Sequence, residues 1–203
     1  MLHTKTVEPN ILELLKSLMR KDYLQQFVLV GGTALALQIG HRKSIDLDLF
    51  TIQDFNSDYL IPVLLKDYDL KPVLQLPQTL ICTVNSVKVD FIRFKYPFIR
   101  PIIQEEGIRM LSIEDIAPMK LDAITGRGSK KDFFDLYFLL QRYDIETLFS
   151  FYLEKYPHQT TFHVARSLSY FVDAESSPDP MVFDKKVTWT KVKKAIIKEI
   201  QKL

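Results

Sequence analysis

The stretch GGTALALQIGHRKSIDLDLF, residues 31–50, carries the side-chain types that chemistry on phosphate requires. At its end, Asp46 and Asp48 are two residues apart. On a strand, such neighbours point to one side, about 6.5–7 Å from each other. Their carboxylates are hard oxygen donors, suited to Mg²⁺ or Mn²⁺. A DxD by itself also suits a solvated strand edge. Here Ile45, Leu47 and Leu49 alternate with Ser44, Asp46 and Asp48, which predicts one face fixed to a core and one carrying the polar groups. Asp90, within VKVDFI, lies on a second one-sided strand. If the two strands are neighbours, three carboxylates meet, and a divalent cation relieves their repulsion. At the other end, Gly31-Gly32 permits close backbone approach, and the N-terminus of a following helix offers free N–H groups to an anion. Thr33 adds a hydroxyl. A tight turn is the ordinary use of such a glycine pair. In the basic knot between them, Arg42 could neutralise phosphate charge, Lys43 reads as a solvated loop residue, and His41 reads as loop.

The flanking pattern shows what must position these groups. Pro9 followed by Ile11, Leu14, Leu15 and Leu18 at helical spacing predicts a helix with proline near its first turn. FVLV, residues 27–30, predicts a short strand that stops at Gly31. TALALQI then predicts a helix closed by Gly40. Residues 58–66 predict a helix whose bounds Pro62 makes uncertain. QTLICTV and VKVDFIRF predict a hairpin turning at Asn85-Ser86, with Val87, Val89 and Phe91 on one face and Asp90 on the other. The second half predicts helices: one after Ser112, with Asp115 as a weak capping-box acid and Pro118 in its first turn; one from Ser129 or Lys130; and apolar helix over 145–172, interrupted near Pro157. Ser176-Ser177-Pro178-Asp179-Pro180 is a break. The lysine-rich tail from Thr188 reads as a solvated amphipathic helix, with an RNA contact as the sharper alternative.

Composition bounds the class. The chain has 203 residues, 47% hydrophobic and 26% charged, with a net charge of +2. That fits a globular protein and excludes a polycation, so any nucleic-acid contact must be a local patch. The lone cysteine, Cys82, lies in LICTV and reads as a buried small hydrophobe in a protein of a reducing compartment. No signal core or membrane-length apolar run is present, which predicts a cytoplasmic protein without membrane contact.

Four segments in order, GGTALALQIGHRKSIDLDLF, KVDFI, IAPMKLDAITGRG and KKDFFDLYFLL, resemble the AbiEii/AbiGii toxin family of nucleotidyltransferases, within the polymerase-β-like superfamily. The resemblance spans about residues 27–140. Many relatives have Gly-Ser at the first motif, where this chain has Gly31-Gly32-Thr33. The resemblance implies an α+β fold: a small mixed sheet carrying the carboxylates with helices on one face, spanning 1–111, then a helical part, 112–203, completing a nucleotide cleft. It implies metal ligation by Asp46 and Asp48, completed by Asp90, and roles in activity for Lys120, Asp132 and Asp135. Contacts to nucleotide would come from Gly31, Gly32, Thr33, Arg42, Ser44, Lys120 and Arg127. Lys120 and Arg127 share a helix face if the helix persists, as do Asp132 and Asp135. A surface lysine and a dipole-stabilising acid are the plain alternatives for Lys120 and Asp132. The implied activity is Mg²⁺- or Mn²⁺-dependent transfer of a nucleoside monophosphate from an NTP to an acceptor hydroxyl. RNA, such as a tRNA 3′ end, is the implied acceptor, and a cognate antitoxin the implied partner. Transfer onto a protein hydroxyl and a non-catalytic nucleotide or RNA binder are the rival readings.

Overall fold

A computed structural model describes residues 1–126 and 128–203. The chain divides into two compact units: Met1–Gly40 with Ser44–Ser112, and His41–Lys43 with Ile113–Leu203.

The first unit is built on a mixed sheet that has seven strands among the described residues, in the order β3-β4-β5-β2-β1-β7-β6. The strands are β1 (Val28–Val30), β2 (Leu47–Thr51), β3 (Leu70–Leu76), β4 (Thr79–Val84), β5 (Val87–Arg93), β6 (Ile103–Glu105) and β7 (Ile108–Met110). β2 is antiparallel to β1 and parallel to β5, so the carboxylate-bearing strands are neighbours, with Asp48 directly opposite Asp90. On these strands Leu47, Leu49, Val89 and Phe91 are buried, and this apolar face fixes which way the alternate residues point. The β4–β5 hairpin turns at Asn85-Ser86, both with positive φ (48° and 66°), as a two-residue type I′ turn requires. Cys82 is buried on β4; burial, aided by the Asp90 charge, pushes its thiol up to about 12, so it remains an inert apolar group.

Three helices belong to this unit: α1 (Pro9–Met19), α2 (Gly31–Ile39) and α3 (Ser57–Leu64). Pro9 opens α1, and Leu14, Leu15 and Leu18 form its buried stripe. α2 ends on Gly40 in the left-handed conformation (φ 71°), where a side chain would strike the His3 ring. In α3, Asn56 caps the first turn through Asp58 N (2.8 Å) and Pro62 is internal.

The second unit contains α4 (Ile113–Gly126), α5 (Lys130–Leu139), α6 (Ile145–Lys155), α7 (Thr161–Leu168), α8 (Val172–Glu175) and α9 (Trp189–Ile200). Pro118 lies inside α4 rather than in its first turn. The backbone bond it forgoes is to a carbonyl near the helix start. Asp115 binds Lys155 Nζ at 2.7 Å in an ion pair with both side chains fully buried. The tail helix α9 is capped by Thr188 and buries Val192 and Ile196. Its Trp189 packs on Phe133, Phe134 and Phe171. The segment 41–43 joins this unit through backbone bonds to 181–183: Lys43 N to Met181 O, 2.9 Å, and Phe183 N to His41 O, 3.1 Å.

Candidate active site

In the sheet unit, Asp48 and Asp90 are the paired carboxylates. Asp90 is 8% exposed. Its Oδ2 accepts a hydrogen bond from Lys88 Nζ at 3.1 Å. Its Oδ1 is buried and has no hydrogen-bond partner among the described residues. A buried anionic oxygen without a donor is costly unless a cation or water satisfies it. Lys88 was not singled out by sequence reasoning. Burial pushes its ammonium pKa down, but the hydrogen bond to Asp90 and the charges of Asp90, Asp46 and Asp48 outweigh that and raise it. One ammonium therefore feels all three carboxylates. The signal was present in sequence: on β5, Lys88 is two residues before Asp90 and shares its face.

Asp46 corrects the expected geometry. It precedes β2 rather than lying on it, and Ile45, expected to anchor that face, is 62% exposed. Asp46 is held by its backbone instead: Thr33 Oγ1 donates to Asp46 O at 2.5 Å, with Ser44 Oγ 2.8 Å from the same hydroxyl. Thr33 and Ser44, expected to touch nucleotide, are buried in this loop brace. Among the described residues, no three His, Cys, Asp or Glu side chains already converge at metal-binding distance. The orphaned Asp90 oxygen and the facing Asp48 nevertheless fit a hard cation.

Gly31 opens α2 with φ 66°, and a Cβ there would collide with the Asp48 carboxylate, its Cγ lying 3.2 Å away. Glycine is therefore required twice, by backbone conformation and by space. Gly31→Ala is expected to cost about 1–2 kcal/mol of stability from the left-handed backbone alone, with activity falling further because Asp48 must move. Urea denaturation beside an activity assay separates the two effects. Gly32 is half-exposed in the first turn of the same helix.

In the helical unit, Asp135 collects the basic groups. Arg42 clasps it with two prongs, Nε to Oδ1 at 2.6 Å and Nη2 to Oδ2 at 2.9 Å. Lys120 Nζ lies 2.6 Å from Asp135 Oδ2 and 3.0 Å from Asp132 Oδ1. Ser129 Oγ donates to Asp132 Oδ2 at 2.6 Å. Arg42, Lys120, Asp132 and Asp135 are all buried. Burial pushes the Asp135 carboxyl up, but the Arg42 and Lys120 charges and hydrogen bonds from Arg42 and His41 hold it well below the usual carboxylate range. Burial likewise disfavours the Lys120 ammonium, and Asp135 and Asp132 more than restore it.

His41 overturns its reading as a loop residue. It is buried, with Nε2 2.7 Å from Asp135 Oδ1 and its ring edge-on to Phe138. Burial lowers its pKa; Asp135 opposes this, while Arg42 and Lys120 reinforce it. The neutral ring donates from Nε2, and Nδ1 is buried without a partner among the described residues. Arg42 likewise differs from the expectation of a cation open to phosphate, because its fork is on Asp135. Arg127 lies outside the described residues.

The chain matches the family described as "Nucleotidyl transferase AbiEii toxin, Type IV TA system" over residues 13–99 and 73–202. It belongs to that family. A relative from Aquifex aeolicus (strain VF5), the uncharacterized protein aq_aa25, is 34% identical over 168 residues, covering 80% of this chain and 82% of its own. Among solved structures, two Helicobacter pylori proteins share the fold over nearly the whole chain. One has a TM-score of 0.59 at 19% identity, covering 96% of this chain and 94% of its own. The other, JHP933, has a TM-score of 0.52 at 18% identity, covering 97% and 94%. MenT4, the nucleotidyltransferase toxin Rv2826c of Mycobacterium tuberculosis H37Rv, matches at TM-score 0.51 and 15% identity, over 88% of this chain and 76% of its own. As an AbiEii-family nucleotidyltransferase, the protein has the mixed-sheet α+β fold of these structures. Among the described residues, no helix is long and apolar enough to cross a membrane.

Lys88 gives this family member a testable electrostatic feature. Its ammonium would compete with any metal ion that the carboxylates hold. Lys88→Met is expected to tighten Mn²⁺ binding by about 1 kcal/mol, roughly fivefold, the size suited to a half-exposed charge. Titration calorimetry of the nucleotide-free protein checks it; weaker binding would contradict the assignment.

Proposed function

We propose that the enzyme transfers a nucleoside monophosphate from an NTP to a hydroxyl at the 3′ end of an RNA, with Mg²⁺ or Mn²⁺, in the cytoplasm, as the toxin of a toxin–antitoxin pair. The observation that carries this reading is the facing Asp48 and Asp90, with a buried unpartnered oxygen, beside the Gly31-Gly32 helix N-terminus. A cation held by Asp48 and Asp90, with Asp46 beside them, supplies Lewis-acid polarisation of phosphate and acidification of the attacking hydroxyl. The α2 N-terminus, through the Gly31 and Gly32 backbone, receives phosphate oxygens. Asp90 serves the acceptor, orienting its hydroxyl and taking part in its deprotonation. The hydroxyl oxygen forms the new bond to the α-phosphorus as the α–β bridging bond breaks, and pyrophosphate leaves.

Thr33 and Ser44 act by holding the Asp46 loop rather than by touching substrate. Lys120, whose ammonium is held by Asp132 and Asp135, carries by the family resemblance the role of balancing phosphate charge. Asp132, Asp135, Arg42 and His41 position that ammonium. The experiment is to supply each α-labelled NTP in turn with Mg²⁺ and total RNA and to follow label in RNA and in protein bands. Label in RNA that disappears in Asp46→Ala/Asp48→Ala supports the reading. Label in protein alone reassigns the acceptor, and bound nucleotide with no label anywhere makes the protein a binder.

A further inference from the structure

The outward face of β2 and β5 continues beyond the carboxylates as a row of rings. Residues two apart share a face, so Phe50 follows Asp48, and Ile92, its partner across the parallel pair, follows Asp90. Phe94 extends the row, its backbone N bonded to Thr51 O at 2.7 Å. The ring centroids step from Phe50 to Phe94 at 5.9 Å and from Phe94 to Tyr96 at 5.6 Å. All of Phe50, Ile92, Phe94 and Tyr96 are half-exposed, whereas Leu47, Leu49, Val89 and Phe91 on the opposite face of the same strands are buried.

The register separates this row from the phosphate end. β1 runs antiparallel to β2, with Val30 opposite Asp48 and Val28 opposite Phe50. The Gly31-Gly32 helix N-terminus therefore lies past Asp48 in one direction and the rings lie past it in the other. Each two-residue step along the strand is about 6.6 Å, comparable with the reach of one nucleotide. The exposed Lys95 ammonium stands 4.9 Å from the Tyr96 ring centroid, and the half-exposed Lys88 flanks Asp90. Half-exposed rings with cations beside them are the makings of a stacking platform for single-stranded nucleic acid.

We propose that Phe50, Phe94 and Tyr96 stack the terminal bases of a single-stranded RNA acceptor and so deliver its 3′ hydroxyl to Asp90. This rests on the RNA-acceptor reading above and deepens it: the acceptor is recognised by stacking, with little dependence on base identity.

The test uses Phe50→Leu and Tyr96→Leu, which keep apolar bulk and remove the ring, with Tyr96→Phe as the conservative control. Affinities are measured for a short fluorescent single-stranded RNA at fixed salt and for a fluorescent NTP, beside melting temperatures. The leucine variants are expected to lose about 5- to 150-fold in RNA affinity, with NTP affinity and melting temperature retained and Tyr96→Phe near wild type. An equal loss of NTP affinity would assign the rings to the donor base and overturn the proposal. Unchanged RNA affinity in folded variants of an enzyme that labels RNA would make the row ordinary packing and overturn it alone. A wild-type protein that neither binds nor labels RNA would overturn the acceptor reading and this proposal together.

Discussion

Asp48→Asn should lower nucleotidyl transfer by about a thousandfold or more while leaving the protein folded. Asp48 has the least replaceable position of the acids in the sheet. It is fixed on β2 between the buried Leu47 and Leu49, faces Asp90 across the parallel pair, and lies against Gly31, where no side chain fits. An amide keeps the shape and removes the charge that holds a cation. The variant should also show no Mg²⁺-dependent rise in melting temperature, because a ligand stabilises only the state that binds it. Asp46→Asn should do less, since its placement owes more to the backbone brace from Thr33. Full activity in Asp48→Asn, or an intact Mg²⁺ shift, would remove Asp48 from the chemistry.

Asp135→Asn should destabilise the protein by about 3–5 kcal/mol, the usual consequence of breaking a buried ion pair from one side. That is a large fraction of a typical total of about 5–15 kcal/mol. The variant leaves Arg42 and Lys120 buried, with Asp132 as the remaining acid of the cluster. Urea denaturation measures the loss; a change within about 0.5 kcal/mol would show that the cluster relaxes to solvent.

The same cluster sets an acid sensitivity in two windows. Asp135 has a folded pKa below its unfolded value of about 3.9. Its contribution is complete at neutral pH and is lost as pH falls below about 4 and on through the folded pKa. His41 has a folded pKa below about 6.5. The unfolded chain takes up that proton first, so stability already declines as pH falls below about 6.5. His41→Gln should flatten this upper window and leave the lower one.

The sequence pattern carried the local elements well where one signal dominated. Pro9 and the leucine stripe placed α1, the Gly40 stop placed the end of α2, and Asn85-Ser86 placed the hairpin. Prolines hid others. β3 contains Pro72, and its Val73, Leu74 and Leu76 are exposed on an edge strand, so no regular alternation marked it. β6 and β7 are short strands joined through Glu106-Gly107, too brief for a period to show. Pro118 was placed by a first-turn rule that α4 does not follow.

Within the site, Asp48, Asp90 and Gly31 were legible because strand period and glycine chemistry are local. The mutual approach of Arg42, Lys120 and Asp135 was not, because it joins segments far apart in the chain. His41 was missed for the same reason. Its one local hint is its position directly after a helix-ending glycine and before another base, where a buried acid elsewhere in the chain can collect both. Ile45 misled in the opposite direction: its alternation with Leu47 and Leu49 is perfect in sequence, yet the strand starts only at Leu47.

The measurement that bears most directly on the central claim compares α- and γ-labelled NTP in parallel reactions with RNA, wild type beside Asp48→Asn. Nucleotidyl transfer predicts label in RNA from the α position only, release of the γ label as pyrophosphate, and loss of both signals in the variant. Label entering RNA from the γ position, or transfer that survives in Asp48→Asn, would contradict it.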